Sequence, residues 1–213
     1  MKIKAHQRYY TSEHKQVPGA TTVLNVLNKP ALVKWANNLG LQGIDSSKYT
    51  DKTAEIGTIA HYLVECELKK ETPDLGEYSK NDIDKAENAV LKFYDWEKQH
   101  KLEQVHSEMQ LVSNQYGYGG TIDCYCLLDG KWTLIDFKTC KAIWDEHLYQ
   151  LAAYRNLLIE NNYAVQETKI LRIGRTEDEG FEERTQSNLA NQWELFKHCL
   201  GIYQIQKMIK KEG

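Results

Sequence analysis

The sequence predicts an α/β domain preceded by a helical lobe. Three observations carry this. Residues 51–69 and 145–161 place apolar side chains at helical spacing. Residues 105–137 alternate apolar and polar as strands do, and contain Asp129-Gly130, the strongest short-range hairpin signal. A short apolar run, Glu167 to Ile173, follows the second of those helices, so strand, helix and strand succeed one another as in a sheet with helices packed on it.

The elements follow in order. Val17-Pro18-Gly19 reads as a turn and Ala20 to Leu27 as a short helix. Pro30 suits the first turn of a helix running through Trp35 to about Leu41. From Asp51 to Lys69, Ile56, Ile59, Ala60, Leu63, Val64 and Leu68 form one apolar stripe. Asn81 or Asp82 is the expected cap of a helix through Ala86, Val90, Phe93 and Trp96. Val105 to Val112 alternates, Tyr116 to Gly120 is turn-like, and Thr121 to Leu128 and Lys131 to Phe137 are the arms of the hairpin. The amphipathic helix Asp145 to Asn161 and the strand Glu167 to Ile173 come next. A last helix, capped by Ser187, runs through Trp193, Phe196 and Leu200 into a basic tail, Lys207 to Lys211.

Bulk properties narrow the class. A chain of 213 residues suits one domain, here divided as a lobe (1–50), a core (51–175) and a C-terminal helix with its tail (176–213). Only 3 prolines argue against long linkers, and 41% hydrophobic residues suffice for an ordinary core. A net charge of -3 argues against a uniformly basic surface but leaves room for a basic groove on an acidic exterior. The five cysteines read as small buried apolar residues in a reducing compartment, and no apolar run reaches membrane-spanning length. A soluble, intracellular protein with no membrane association is expected.

The central argument is register. With Asp129-Gly130 as the loop, Leu128 pairs with Lys131, and paired positions sum to 259, which sets Asp123 opposite Asp136. Their Cβ atoms would lie roughly 4.5–5.5 Å apart on one face. Lys138, two residues past Asp136, shares that face, while Ile122, Cys124, Cys126 and Leu128 pack against Thr133, Ile135 and Phe137 on the other. Like charges directly opposite each other destabilise a sheet, and a divalent cation offsets that cost; oxygen ligands suit Mg²⁺ or Mn²⁺. A plain Asp136–Lys138 surface pair explains neither Asp123 nor the apolar flanks.

Other polar residues allow two readings each. Gly57, mid-helix, costs about 1 kcal/mol relative to Ala and suggests close approach of another backbone. His61, one turn on, is either a hydrogen-bonded helix histidine or a ligand, and Glu65 either orients it or is solvated. Glu108 is either a metal or water ligand or a surface charge, because the loop after its strand hides its facing. Gln150 either positions water or phosphate, with Tyr154 packed beneath it, or belongs to ordinary helix amphipathicity. Lys34, Lys141, Arg155, Arg172 and Arg175 are candidate phosphate contacts, and Tyr116, Tyr118 and Trp144 either stack on bases or fill the core.

Gly57-Thr58-x-x-His61, Glu108, Gly120-Thr-Ile-Asp123, Ile135-Asp-Phe-Lys138-Thr139 and Gln150-Leu-Ala-Ala-Tyr154 together resemble the motifs of RecB-type nucleases in the PD-(D/E)XK superfamily, in the family's order. Val17-Pro-Gly-Ala-Thr-Thr-Val-Leu, with Leu32-Val-Lys-Trp35 after it, further resembles small stand-alone members, the phage exonucleases and mitochondrial genome maintenance exonucleases. The resemblance implies a restriction-endonuclease-like core, a mixed sheet flanked by helices in αβββαβ order, with a helical N-terminal lobe. It implies one or two Mg²⁺ or Mn²⁺ ions bound by His61, Asp123, Asp136 and the Phe137 carbonyl. Lys138 would contact the attacking water or the scissile phosphate, with Glu108 and Gln150 in support, and Thr139 and Tyr154 would lie where DNA binds. Asp136 stands where many members have Glu. The iron–sulfur branch needs one cysteine before the core and three after it; only Cys199 follows here, so no cluster is expected. The implied activity is a DNA exonuclease acting on single- or double-stranded ends in recombination, repair or replication processing, in the cytoplasm of a bacterium or phage-infected host, beside a strand-annealing or replication partner. A structure-specific endonuclease, a non-catalytic DNA-binding module on a nuclease fold, and a structural metal domain are the rival readings.

Overall fold

The structure, a computed structural model, describes residues 8–175 and 179–212. The expected boundary between core and C-terminal segment, at 175/176, adjoins residues 176–178, which lie outside the described residues. The chain opens with a small hairpin, β1 (Tyr9–Tyr10) and β2 (Gln16–Val17), then helices α1 (Ala20–Leu24), α2 (Pro30–Leu41), α3 (Ser46–Lys69) and α4 (Lys80–Glu97). A five-stranded sheet follows: β3 (Leu102–Ser113), β4 (Tyr118–Leu128), β5 (Lys131–Thr139), β6 (Glu167–Ile173) and β7 (Phe181–Thr185), adjacent in that order. All neighbours are antiparallel except β5 and β6, which run parallel. A parallel pair needs a crossover, and α5 (Asp145–Glu160) supplies it. Helix α6 (Ala190–Glu212) closes the chain. This is a mixed α/β fold with a central sheet flanked by helices, compatible with a restriction-endonuclease-like core.

Both faces of the sheet are buried, by two separate layers. Leu134 and Ile170 join α1, α5 and α6 through Leu151, Leu157 and Phe196. Their sequence neighbours Ile135 and Leu171 join α3 and α4 through Ile59, Leu63, Val90 and Phe93. Alternation along β5 and β6 therefore sends successive apolar residues to opposite layers, which makes these central strands read as continuous apolar runs.

Several boundaries differ from expectation. Ser79, not Asn81 or Asp82, caps α4, its hydroxyl accepting from the Asp82 N–H. Helix α3 begins earlier than Asp51, because the Asp45 side chain accepts from the Ser47 and Lys48 amides. Helix α6 begins at Ala190 rather than beside Ser187; Asn188 Oδ1 accepts the Ala190 N–H at 3.0 Å. The basic segment 207–211 is the end of this helix, not a tail. Strand β7 was not expected: its sequence is Phe-Glu-Glu-Arg-Thr, with one apolar residue. Its charges have partners on β6, Lys169 with Glu183 at 2.6 Å and Arg172 with Glu182 at 3.3 Å. A charged edge strand also resists pairing with another chain.

The lobe is anchored unevenly: α1 is part of the core through Ala20, Val23 and Leu24, whereas α2 lies on the surface. Tyr9 of β1 lies over β4, where a Cβ at Gly119 would stand 2.4 Å from its ring. Helix α2 has no buried residue, and Leu32, Val33 and Leu41 are exposed. Among the described residues, no helix is long and apolar enough to cross a membrane.

Candidate active site

The hairpin register holds from Leu128↔Lys131 to Cys124↔Ile135, and every pair sums to 259. The ladder stops one pair short of Asp123 and Asp136. There the Asp123 carboxylate takes over as acceptor, receiving the Phe137 N–H on Oδ2 at 2.9 Å. On the other side of β4 the ladder runs Ser107↔Cys124 and Met109↔Ile122, so Glu108 stands opposite Asp123, with no pair between them. Glu108 has φ +53, a left-handed conformation that is uncommon for a residue with a side chain. Strain of this kind concentrates where surrounding structure imposes it, often at functional sites. The irregularity also corrects one expectation. Ile122 packs in the α5 layer, whereas Cys124 and Cys126 pack in the α3–α4 layer, so strict alternation fails at Asp123.

Asp136 is 0% exposed. Lys138 Nζ lies 2.6 Å from its Oδ2, but neither carboxylate oxygen has an aligned hydrogen-bond donor. A buried carboxylate without donors is costly. Burial pushes the Asp136 carboxyl up to about 6, against the attraction of Lys138, and Asp123 adds repulsion. Burial raises Asp123 as well. Burial works against the Lys138 ammonium too, yet the two carboxylates outweigh it and its pKa is raised. His61 is pushed down to about 4 by burial and then by Lys138, so its imidazole is neutral near pH 7. It meets the Phe137 ring edge-on, with centroids 6.4 Å apart.

Of these groups, His61 and Asp123 line a cleft of about 940 Å³ between α3 and the sheet, while Asp136 is buried. Gly57, Thr58 and His61 line it from α3; Glu108, Asp123 and Thr139 line it from the strands. Gly57 meets a side chain rather than a backbone: a Cβ there would lie 3.5 Å from Thr139 Cβ, ordinary contact. The close approach lies instead at Gly120, where a Cβ would stand 2.6 Å from the Tyr154 ring. Gln150 donates to the Tyr154 hydroxyl at 2.7 Å, so this motif acts as one packed unit on β4. Glu65 ion-pairs with Lys69 on its own helix.

The groups present fit a hard divalent cation in one respect: the Asp136 oxygens are buried oxygen ligands whose nearby cation is Lys138, with no well-aligned hydrogen bond to either oxygen. Among the described residues, no three His, Cys, Asp or Glu side chains are grouped tightly enough to hold an ion by themselves. His61 stands near the Asp136–Lys138 pair as a neutral imidazole.

The cationic candidates divide. Arg172 is buried, and its guanidinium is taken up by Glu182 and by the carbonyls of Glu179 and Cys140. Arg175 lines the cleft but is clamped by Glu179 at 2.7 Å. Lys34 and Lys141 are exposed and Arg155 is half-buried. Tyr118 is fully buried against Phe196 and Tyr116 packs on Trp193, so both are core residues; Trp144 is exposed at the start of α5. Three cleft residues were not foreseen as site residues: Tyr9, whose hydroxyl is 3.0 Å from Thr121 Oγ1, and the facing rings of Trp35 and Tyr49. Their types carry no signal in sequence; only the Gly119-Gly120 pair hints that rings press on β4.

No family model and no curated protein matches the chain. A solved structure from Eubacterium rectale, described as a “putative exonuclease”, matches with a TM-score of 0.50 and 10% identity over 71% of this chain; the match spans 65% of that protein's length. A second, of the protein SSO0001, covers 60% of this chain and 67% of the other at 14% identity, and its TM-score of 0.34 carries no argument. The first likeness is one of fold alone.

Proposed function

We propose that this chain is a divalent-metal-dependent deoxyribonuclease that hydrolyses phosphodiester bonds from DNA ends. The observation that carries the reading is the buried Asp136 carboxylate, paired with Lys138 and close to Asp123, which itself lines an open cleft. Asp123, Asp136 and the Phe137 carbonyl would hold the ion, with His61 a further neutral donor. When bound, Mg²⁺ or Mn²⁺ supplies Lewis acidity that offsets charge on the scissile phosphate. Lys138, kept cationic by the two carboxylates, would stabilise the added charge of the pentacoordinate phosphorus. One P–O bond forms to water and one breaks to the sugar oxygen; the proton lost by the attacking water passes to solvent or to a neighbouring carboxylate, and the departing sugar oxygen takes a proton from solvent to leave as the hydroxyl. Gln150 donates to the hydroxyl of Tyr154, which lines the cleft, and would orient the phosphate or water.

The likeness to an exonuclease structure supports the hydrolase class, and a role in recombination, repair or replication goes with this reading. The test uses linear single-stranded, linear double-stranded and covalently closed circular DNA with Mn²⁺. Linear DNA should be degraded and closed circles spared. Efficient nicking of circles would make the protein an endonuclease, and inertness toward all three would overturn the reading.

A further inference from the structure

The cleft extends well beyond the carboxylates. Tyr49, Thr53, Gly57 and His61 recur every four residues on α3, and all line it, so one face of the helix forms a continuous wall. At about 1.5 Å per residue, Tyr49 stands roughly 18 Å from His61 along that wall. Between them the side chains are small: Thr50, Thr53, Ala54, Gly57 and Thr58. At the far end Trp35 of α2 meets Tyr49 edge-on, with ring centroids 5.8 Å apart, and both rings remain exposed, 38% and 47%. The pair is large, apolar and accessible, on a lobe whose helix α2 buries nothing.

The charge of the wall points away from a duplex. Five carboxylates line the cleft, Glu65, Glu71, Asp74, Glu108 and Asp123, against Lys69 and Arg175, each of which already has a carboxylate partner. A duplex presents twice the phosphate charge per unit length and hides its bases, so it would need cations that this wall does not offer. A single strand carries half that charge density, so the wall repels it less, and it exposes the faces of its bases to the two rings, a stacking contact that a duplex does not offer.

On the nuclease reading above, we infer that the cleft is a track for single-stranded DNA, with Trp35 and Tyr49 stacking on bases at its far end. At about 3.4 Å per nucleotide in a stacked strand, the platform engages bases about five nucleotides from the carboxylate site. Affinity therefore depends on strand length: strands too short to reach the rings lose their contribution.

The test is fluorescence anisotropy of the full chain with Ca²⁺ in place of Mg²⁺, which makes the readout independent of cleavage. The probes are labelled oligothymidylates of about twelve and about four nucleotides and a blunt duplex. Trp35→Ala and Tyr49→Ala, on different helices, should each weaken the longer probe by about tenfold. Trp35→Phe should retain most of the affinity, and the shorter probe should change by less than about twofold. Melting temperatures check that both exposed positions leave folding intact. Equal binding of wild type and both alanine variants, equal losses on short and long probes, or a duplex bound as tightly as the single strand would overturn the track and leave the nuclease reading standing. A wild type that binds none of the probes would overturn both.

Discussion

Two glycines of the resembling motifs should respond to alanine with opposite signs. Gly57 sits inside α3, and an added methyl would meet Thr139 Cβ at 3.5 Å, ordinary van der Waals contact. With no clash, the helical gain of Ala over Gly remains, about 0.5–1 kcal/mol. Gly120 lies in β4 under Tyr154, and its methyl would stand 2.6 Å from Cε1 of that ring and 3.0 Å from Leu157 Cδ1. Both neighbours are buried and neither is a flexible chain end. Overpacking of this kind costs about 1–3 kcal/mol, partly offset by about 0.4–1 kcal/mol from a less flexible unfolded chain. The net loss should be about 1–2 kcal/mol. For a chain of this size that is roughly 2–8 °C in Tm, against a rise of about 1–4 °C for Gly57→Ala. Denaturant titration and thermal melting of the three proteins decide it. Because a displaced Tyr154 carries Gln150 with it, Gly120→Ala should also lose nuclease activity at temperatures where it is fully folded. If Gly120→Ala is as stable as wild type, the ring does not rest on this strand as described. A clear loss at Gly57 would show instead that the α3–Thr139 contact is tighter than ordinary packing.

Lys138→Met should abolish cleavage while leaving Ca²⁺-supported DNA binding within about threefold, because its proposed role lies in the transition state; a variant keeping a tenth of the activity would refute that role. Asp136→Asn should also abolish cleavage, with a diagnostic stability profile. The native carboxyl titrates at about 6, above its ordinary 3.8, so between those values the native state holds a proton that the unfolded state has lost, and stability falls as pH rises through that window. The Asn variant lacks this fall, so in EDTA near neutral pH it should melt at or above wild type, and it should lose the upward shift that Mn²⁺ gives by binding the native state. A markedly lower melt in EDTA would make Asp136 a structural partner of Lys138.

How much of this was legible before the structure follows from how local each signal is. Asp129-Gly130 fixes a two-residue loop, and counting back from it reproduces every pair to Cys124↔Ile135. The same counting could not foresee that the ladder stops there with the Asp123 carboxylate accepting the Phe137 N–H, nor that Glu108 on a third strand stands opposite Asp123 with a left-handed backbone. Strand β7 was missed for a related reason. Its charges are explained by Lys169 and Arg172 on β6, and a pattern read along one strand cannot see a partner across the gap. Two of the arginines that were candidate phosphate contacts already have acidic partners: Arg172 pairs with Glu182 across β6 and β7, and Arg175 with Glu179.

The aromatic residues show the limit most clearly. Tyr116 and Tyr118 flank a glycine beside the hairpin and looked suited to stacking, yet α6 covers them with Trp193 and Phe196. Trp35 lies in an expected helix and Tyr49 just before one, with nothing to mark either as a site residue; no residue of α2 is buried and both rings remain open on the cleft. A ring's chemistry is the same in both settings; what differs is whether another element arrives to cover it. Carboxylates at a site announce themselves because their burial is costly and must be offset locally. Rings are at home in either place, so a sequence reports the reacting groups of such a site more faithfully than the surface that would hold the rest of the substrate.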